Sequence, residues 1–254
     1  MAVNIQYASD LHLEFGENKN YLKKLPLVPC ADVLVLAGDI VPFSKMDKHS
    51  DFFSYIADNF ETTYWLPGNH EYYHFDAAQK TGILHETIRI NVFLVNNIAI
   101  EYRAIHLIFT TLWTKISTYN QWFIEKTLND FRTITYNGKR LSADIYNQFH
   151  AEALEFLKRT TSNKSMNSVA VFTHHCPTFL NYPPQYNGDP LNEAFATELF
   201  DFIETIAPAC WVYGHHHSNI PEFEIGTTRM LTNQLGYVHL NEHRNFRSNA
   251  CIAI

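Results

Sequence analysis

The sequence predicts an α/β fold in which two mixed β-sheets pack face to face with helices outside, and three observations carry that prediction. Short apolar runs recur along the chain, helix-compatible stretches lie between several of them, and further strand-like runs follow one another with no helix between, as antiparallel hairpins do.

Taken in order, residues 3–8 and 33–37 read as short strands that end in polar groups, Ser9-Asp10-Leu11-His12 after the first and Gly38-Asp39 after the second. The arrangement repeats at 62–66 before Pro67-Gly68-Asn69-His70-Glu71, at 168–173 before His174-His175-Cys176-Pro177, and at 210–213 before Gly214-His215-His216-His217. Residues 47–59, 75–88, 141–159 and 192–206 have helix-compatible patterns. Additional strands are predicted at 91–95, 98–102, 105–110, 222–225 and 229–232. Residues 113–139, aromatic and polar, and 181–191, which holds Pro183, Pro184, Gly188 and Pro190, fit neither period and read as loops over a site. No repeat, low-complexity tract or linker divides the chain, so one domain is expected over residues 1–254.

Composition narrows the function. With 46% hydrophobic residues the chain can build packed layers. A net charge of -7 argues against the clustered cations that an extended nucleic-acid surface needs. Residues 1–8 lack a basic leader followed by a long apolar stretch, and no run approaches a membrane span, so a cytoplasmic protein without a membrane partner is expected. Cys30, Cys176, Cys210 and Cys251 are scattered, without a CxxC pair, and read as reduced, mostly buried thiols. The 14 histidines are the feature that asks for a cause.

Open α/β sheets place their binding crevices at the C-terminal ends of strands, where all five polar clusters fall. Residues i and i+2 of an extended segment point the same way, so Asp10 and His12 can reach one cation. Asp39 brings a carboxylate that can bridge two cations, Asn69 a neutral amide oxygen, and His174, His215 and His217 imidazole nitrogens. Such a mixed set suits two transition metals better than magnesium or calcium. Alone, Asp10 and His12 read as a capped turn, Asn69 as a residue tolerant of left-handed backbone, and 215–217 as a His-rich turn. Together, in order, the five clusters outweigh those readings.

In that order, Asp10-Leu11-His12, Gly38-Asp39, Gly68-Asn69-His70-Glu71, Thr173-His174-His175 and Gly214-His215-His216-His217, the chain resembles the calcineurin-like metallophosphoesterases. The resemblance implies a four-layer α-β-β-α sandwich with two mixed central sheets and two divalent or transition metal ions such as Mn, Fe or Zn. It implies Asp10, His12, Asp39 and His217 around one metal and Asp39, Asn69, His174 and His215 around the other, with Asp39 bridging and His174 preferred to its neighbour His175. His70, beside Asn69 but outside that set, is placed to protonate a leaving group, and Glu71 to orient a neighbour by hydrogen bonding. His175 is expected behind the ligands or facing substrate, His216 facing solvent or substrate, and Cys176 as an inert neighbour.

The expected activity is hydrolysis of a phosphate ester by water activated at the metal pair. A catalytically silent scaffold on the same fold and a nuclease acting on nucleic-acid ends are the alternatives; the intact ligand set weighs against the first and the negative charge against the second. Trp113, Tyr119, Trp122, Phe123, Phe131 and Tyr136 fit core or loop packing better than a base-stacking platform. If the two unassigned stretches form the site's walls, Trp113, Tyr119, Asn120, Trp122, Tyr182 and Tyr186 suit a flat organic group beside the phosphate, hence a small diester or nucleotide.

Overall fold

The computed structural model describes residues 2–162 and 168–254. Met1, at the head of the first strand-like run, lies outside them. The chain runs β1 (Asn4–Ala8), α1 (Gly16–Lys24), β2 (Val33–Ala37), α2 (Ser50–Asn59), β3 (Thr62–Leu66), β4 (Leu84–Arg89) and β5 (Val92–Asn96). It continues through β6 (Ile98–Tyr102), β7 (Ile105–Thr110), α3 (Gln121–Thr127), α4 (Asp130–Thr133), β8 (Thr135–Tyr136), β9 (Lys139–Arg140) and α5 (Ala143–Thr161). The remainder is β10 (Val169–Thr173), α6 (Phe200–Ile206), β11 (Cys210–Tyr213), β12 (Phe223–Ile225), β13 (Thr228–Thr232) and β14 (Cys251–Ala253).

Two six-stranded sheets result, ordered β14-β1-β2-β3-β5-β4 and β12-β13-β11-β10-β7-β6. In each, four parallel central strands are flanked by one antiparallel strand on either edge. The strand period of two splits each central strand between two cores. Val33, Val35 and Ala37 of β2 point between the sheets, where they join Phe109, Ala170, Phe172 and Val212 of the second sheet, while Leu34 and Leu36 point outward among Leu22, Phe53 and Ile56. Val169 and Val171 pack outward against Phe156, Leu157 and Ile203. The α-β-β-α sandwich therefore has three apolar layers, and strands buried on both faces read as unbroken apolar runs. Among the described residues no helix is long and apolar enough to cross a membrane.

Four expectations need correction. Residues 113–139, read as loop, hold the short helices α3 and α4 and the strand β8, which pairs with β9. Residues 75–88 are not a helix: Gly82, at φ 72°, interrupts the pattern, and Leu84 then alternates with exposed neighbours along β4, the antiparallel edge strand beside β5. Residues 192–206 do not form one helix either; a 3-10 turn at Pro190–Ala194 is separated from α6 by an irregular segment. Cys30 and Cys251 are joined in a disulfide, which ties the approach to β2 to β14 across 221 residues, while Cys176 and Cys210 are free and buried. The bond is at odds with the reducing compartment that the scattered cysteines suggested. Cysteine spacing could not show it, because the pair meets only when β14 docks beside β1.

Phe172 is fully buried and stacked on Phe109 at 5.4 Å between the sheets. Phe172→Ala is expected to cost about 3–5 kcal/mol of unfolding free energy, the usual range for emptying such a site. Denaturant titration reads it, and a loss under about 1 kcal/mol would show that the sheets close over the void.

Candidate metal centre

The parallel strands of both sheets end at one edge of the sandwich, and the polar clusters meet there. Asp10 follows β1, Asp39 follows β2, Asn69 follows β3, His174 follows β10, and His215 and His217 follow β11. Of these six residues and His12, five turn back into the left-handed region, with φ of 55° at Asp10, 46° at His12, 56° at Asp39, 80° at His215 and 52° at His217. Each such non-glycine conformation costs on the order of 1–3 kcal/mol and persists only where its surroundings enforce it. The neighbouring glycines explain part of that enforcement. A Cβ on Gly38 would meet the His174 ring at 2.6 Å, and one on Gly214 would meet Asp10 Oδ2 and Ser9 Oγ at 2.6 Å, so only glycine lets these turns approach the side chains so closely.

The donors form two sets that share Asp39: Asp10, His12, Asp39 and His217 in one, Asp39, His174 and His215 in the other. Asp39 Oδ2 lies 3.8 Å from His12 Nε2 and Oδ1 lies 3.4 Å from His174 Nε2. Asn69 Oδ1 joins the second set, 3.3 Å from His174 Nε2. His175 does not: its Nδ1 is 3.1 Å from the Thr111 carbonyl and its Nε2 3.3 Å from the Tyr146 hydroxyl, in the apolar layer against Trp113. Burial there pushes its pKa down to about 3.

Three of the inward nitrogens are prepared by what their rings hold on the other side, whereas the outer Nε2 of His215 has no hydrogen-bond partner among the described residues. His174 Nδ1 donates to the Ala37 carbonyl at 3.0 Å, His12 Nδ1 to Glu14 at 3.3 Å and His217 Nδ1 to Glu242 at 2.8 Å, which leaves three Nε2 lone pairs facing inward. Asn69 is fixed likewise, its Nδ2 donating to Asp130 at 2.9 Å so that its oxygen faces the set. The inward atoms crowd: His12 Nε2 is 2.9 Å from His217 Nε2, and His174 Nε2 is 3.0 Å from His215 Nδ1. Converging acceptors with carboxylates among them call for positive charge. With no cation present the carboxylates would draw a second proton onto the inward nitrogens. Burial pushes His217 down, but Asp10 and Glu242 hold its pKa up at about 10, and burial of His174 is overcome by Asp39, to about 9, so that a bound cation would take the place of those protons. The residues therefore fit metal cations.

His70 lines the cavity above the centre, its Nδ1 3.0 Å from Glu14 and its ring stacked on Tyr73 at 4.1 Å. Glu14 serves His12 and His70 with the same oxygen; burial would raise its pKa, yet the hydrogen bonds from both rings bring it down to about 2. Glu71 is buried and accepts from the Asp39, Ile40 and Gly68 amides and the Trp65 indole. Burial, then the Asp39 charge, push it up to about 8 against those donors. His216 is buried rather than solvent-facing, its Nδ1 accepting from Ser218 N and Gln234 Nε2.

The cavity measures about 570 Å³. Of the expected wall residues, Tyr182 and Tyr186 line it, with Leu128, Asn129, Asn192 and Phe195 beside them. Trp113 instead belongs to the buried core, and Tyr119 and Trp122 are exposed outside the lining. Glu14, Asp130 and Glu242 escaped the sequence reading. Glu14 stands two residues past His12, whereas Asp130 opens α4 and Glu242 a 3-10 turn, with nothing in the neighbouring sequence to mark either.

Donors of this kind at a shared sheet edge define a metal-dependent hydrolase. A model of the calcineurin-like phosphoesterase family matches residues 4–219. The chain is 33% identical to an uncharacterized protein, L509, of Acanthamoeba polyphaga mimivirus, over 98% of this chain and 96% of that one. It also superposes on the solved phosphopantetheinyl hydrolase of Mycobacterium tuberculosis with a TM-score of 0.71 at 16% identity, over 97% of this chain and 94% of that one, a likeness of fold. The chain belongs to the calcineurin-like phosphoesterase family, whose members use a dinuclear metal centre and act on small phosphorylated substrates.

Asp130 touches no candidate cation directly, but it fixes the Asn69 amide. Asp130→Ala is expected to weaken metal binding at the Asn69, His174 and His215 set by about 10- to 100-fold, as loss of a ligand's outer partner does, and to spare the other set. Metal titration by calorimetry, with two resolved binding events, checks it. Equal weakening of both events would show a general collapse instead.

Proposed function

We propose that the chain hydrolyses a small phosphate ester, a diester or nucleotide, at two metal ions that share Asp39. The observation that carries this reading is the Asp39 carboxylate, common to both donor sets at the base of the cavity. Asp10, His12 and His217 complete one site, and Asn69, His174 and His215 the other; their nitrogen content favours Mn, Fe or Zn. When bound, such a pair supplies charge for the phosphate oxygens and acidifies a water for in-line attack.

The chain's own residues do the rest. Glu14 fixes the His70 ring through Nδ1 and leaves Nε2 free to hand a proton to the leaving oxygen. Burial lowers the His70 pKa, but Asp39 and Glu14 outweigh it and raise it, which favours the protonated form an acid needs. Glu71 positions Asp39 through the Asp39 and Ile40 amides. Around the phosphate, Tyr182, Tyr186 and Phe195 offer ring surface, and Lys45 is the only lysine or arginine among the described lining residues. One cation beside several rings suits one phosphate with a flat organic group better than a polyanionic strand.

The test is turnover of the metal-loaded protein on small mono- and diesters and nucleotides, beside phosphoprotein and long DNA at equal phosphate concentration. Small esters are expected to be preferred, and Asp39→Asn to abolish most turnover and lower the bound metal at both sites. Preference for long DNA or phosphoprotein would defeat the substrate reading, and an Asp39→Asn protein with two metals and normal turnover would defeat the bridge.

His70→Ala is expected to keep both metals and to slow esters with poor leaving groups by about 10²- to 10⁴-fold, with a much smaller effect on activated aryl esters. Equal losses across leaving groups would assign His70 to substrate positioning.

A further inference from the structure

Two stretches of chain far apart in sequence each supply part of the cavity wall. One follows β7 and carries α3, at whose end Thr127, Leu128 and Asn129 face the cavity. The other runs from Tyr182 to Phe195, most of it irregular, and contributes Tyr182, Tyr186, Asn192 and Phe195. Each is tied to the body of the fold, the first by Asn147 on the Ile116 amide and carbonyl, the second by the Tyr146 hydroxyl on the Ala194 carbonyl.

One carboxylate joins them. Glu193 Oε2 accepts from the Ser117 amide at 2.7 Å, and Glu193 Oε1 accepts from Ser117 Oγ at 2.9 Å and Asn120 Nδ2 at 2.8 Å. The Glu193 carbonyl accepts from Thr114 Oγ1 at 2.7 Å, so the same residue grips the first stretch at a third position. Hydrogen bonds to an ionised carboxylate are roughly twice as strong as neutral ones. Both ends of this connection reach the metal centre. Past α3, Asp130 holds the Asn69 amide, and two residues after Glu193, Phe195 stacks on the His215 ring at 4.5 Å. Asn192, the residue before Glu193, donates to the Tyr186 carbonyl at 2.6 Å and so carries the restraint to Tyr186.

We propose that Glu193 is a positioning residue: its carboxylate latches residues 117–120 to residues 190–194, so that the two walls form one substrate-facing surface. The latch touches neither substrate nor any candidate metal ligand. Its consequence is specificity. An ester large enough to touch both walls gains its binding energy only if they are held in register, whereas a minimal ester held by its phosphate alone does not depend on them. This rests on the cavity being the active site, and one arm of the test is independent of that reading.

The experiment compares Glu193→Ala, Glu193→Gln and Asn120→Ala with the parent protein by hydrogen exchange and by kinetics. In Glu193→Ala, amides in both 117–129 and 182–194 are expected to exchange at least about tenfold faster, while those of β2 and β10 are unchanged. KM for a bulky nucleotide ester is expected to rise about tenfold with kcat nearly constant, and kcat/KM for a minimal aryl phosphate to change by less than about threefold. Glu193→Gln, which keeps an oxygen for Ser117 but offers an NH2 to Asn120, is expected to lie between. Asn120→Ala added to Glu193→Ala is expected to give no further loss, because both remove the same contact. Faster exchange confined to 190–194, or equal loss of kcat on bulky and minimal esters, would overturn the latch. If no phosphate ester is turned over, the functional reading fails, and the exchange data alone decide the latch.

Discussion

Four N–H groups converge on the buried carboxylate of Glu71, and the centre depends on that convergence. The amides of Asp39 and Ile40 come from the turn after β2; the amide of Gly68 and the indole of Trp65 come from β3 and its turn. One side chain thus fastens two adjacent strand ends at their most strained point. Without it, three backbone donors would lie buried and unpaired, each a cost of about 1–3 kcal/mol, and only the backbone bonds from the residues after β1 would hold Asp39 at its positive φ. From that fixed backbone the Asp39 carboxylate extends between the two donor sets, its Oδ1 also accepting from the His70 amide at 2.9 Å.

Around this anchor four of the remaining donors, His174, His12, His217 and Asn69, are held by acceptors on their outer sides. The Ala37 carbonyl, Glu14, Glu242 and Asp130 each take a hydrogen from the outer side of a ligand and thereby decide which atom of it points inward. The strain of five left-handed residues at the sheet edge is sustained by the three apolar layers behind them. There the strands are packed on both faces and have little freedom to relax.

The central strands were legible because a strand buried on both faces must be apolar throughout, and the polar residue that ends it marks where it leaves the core. Where a strand has one exposed face the signal weakened. The residues of β4 carry a helix-compatible spacing that Gly82 and pairing to β5 override, and β14 has three residues whose identity as a strand comes only from β1. The amphiphilic helix α1 passed unnoticed because the residues it buries are Asn18 and Leu22, and Asn18 is buried to donate to the Leu11 and Gly236 carbonyls.

By itself the sequence determined what local chemistry can fix: the strand ends, the glycines that let them turn, and donor residues clustered just past those ends, although the left-handed φ at Asp10 and His12 shows that the chain between them is turned and not extended as its spacing suggested. Which donors meet was decided by the tertiary structure. His174 and His175 are adjacent and chemically alike, and only the packing of β10 beside β7 and β11 sends one toward Asp39 and the other toward Tyr146. Asp130, Glu193 and Glu242 stand in short elements, and their partners are 61, 76 and 25 residues away. A hydrogen bond across such a separation leaves no mark in local sequence, because it is the folded sheets, and not the chain between, that bring its two ends together.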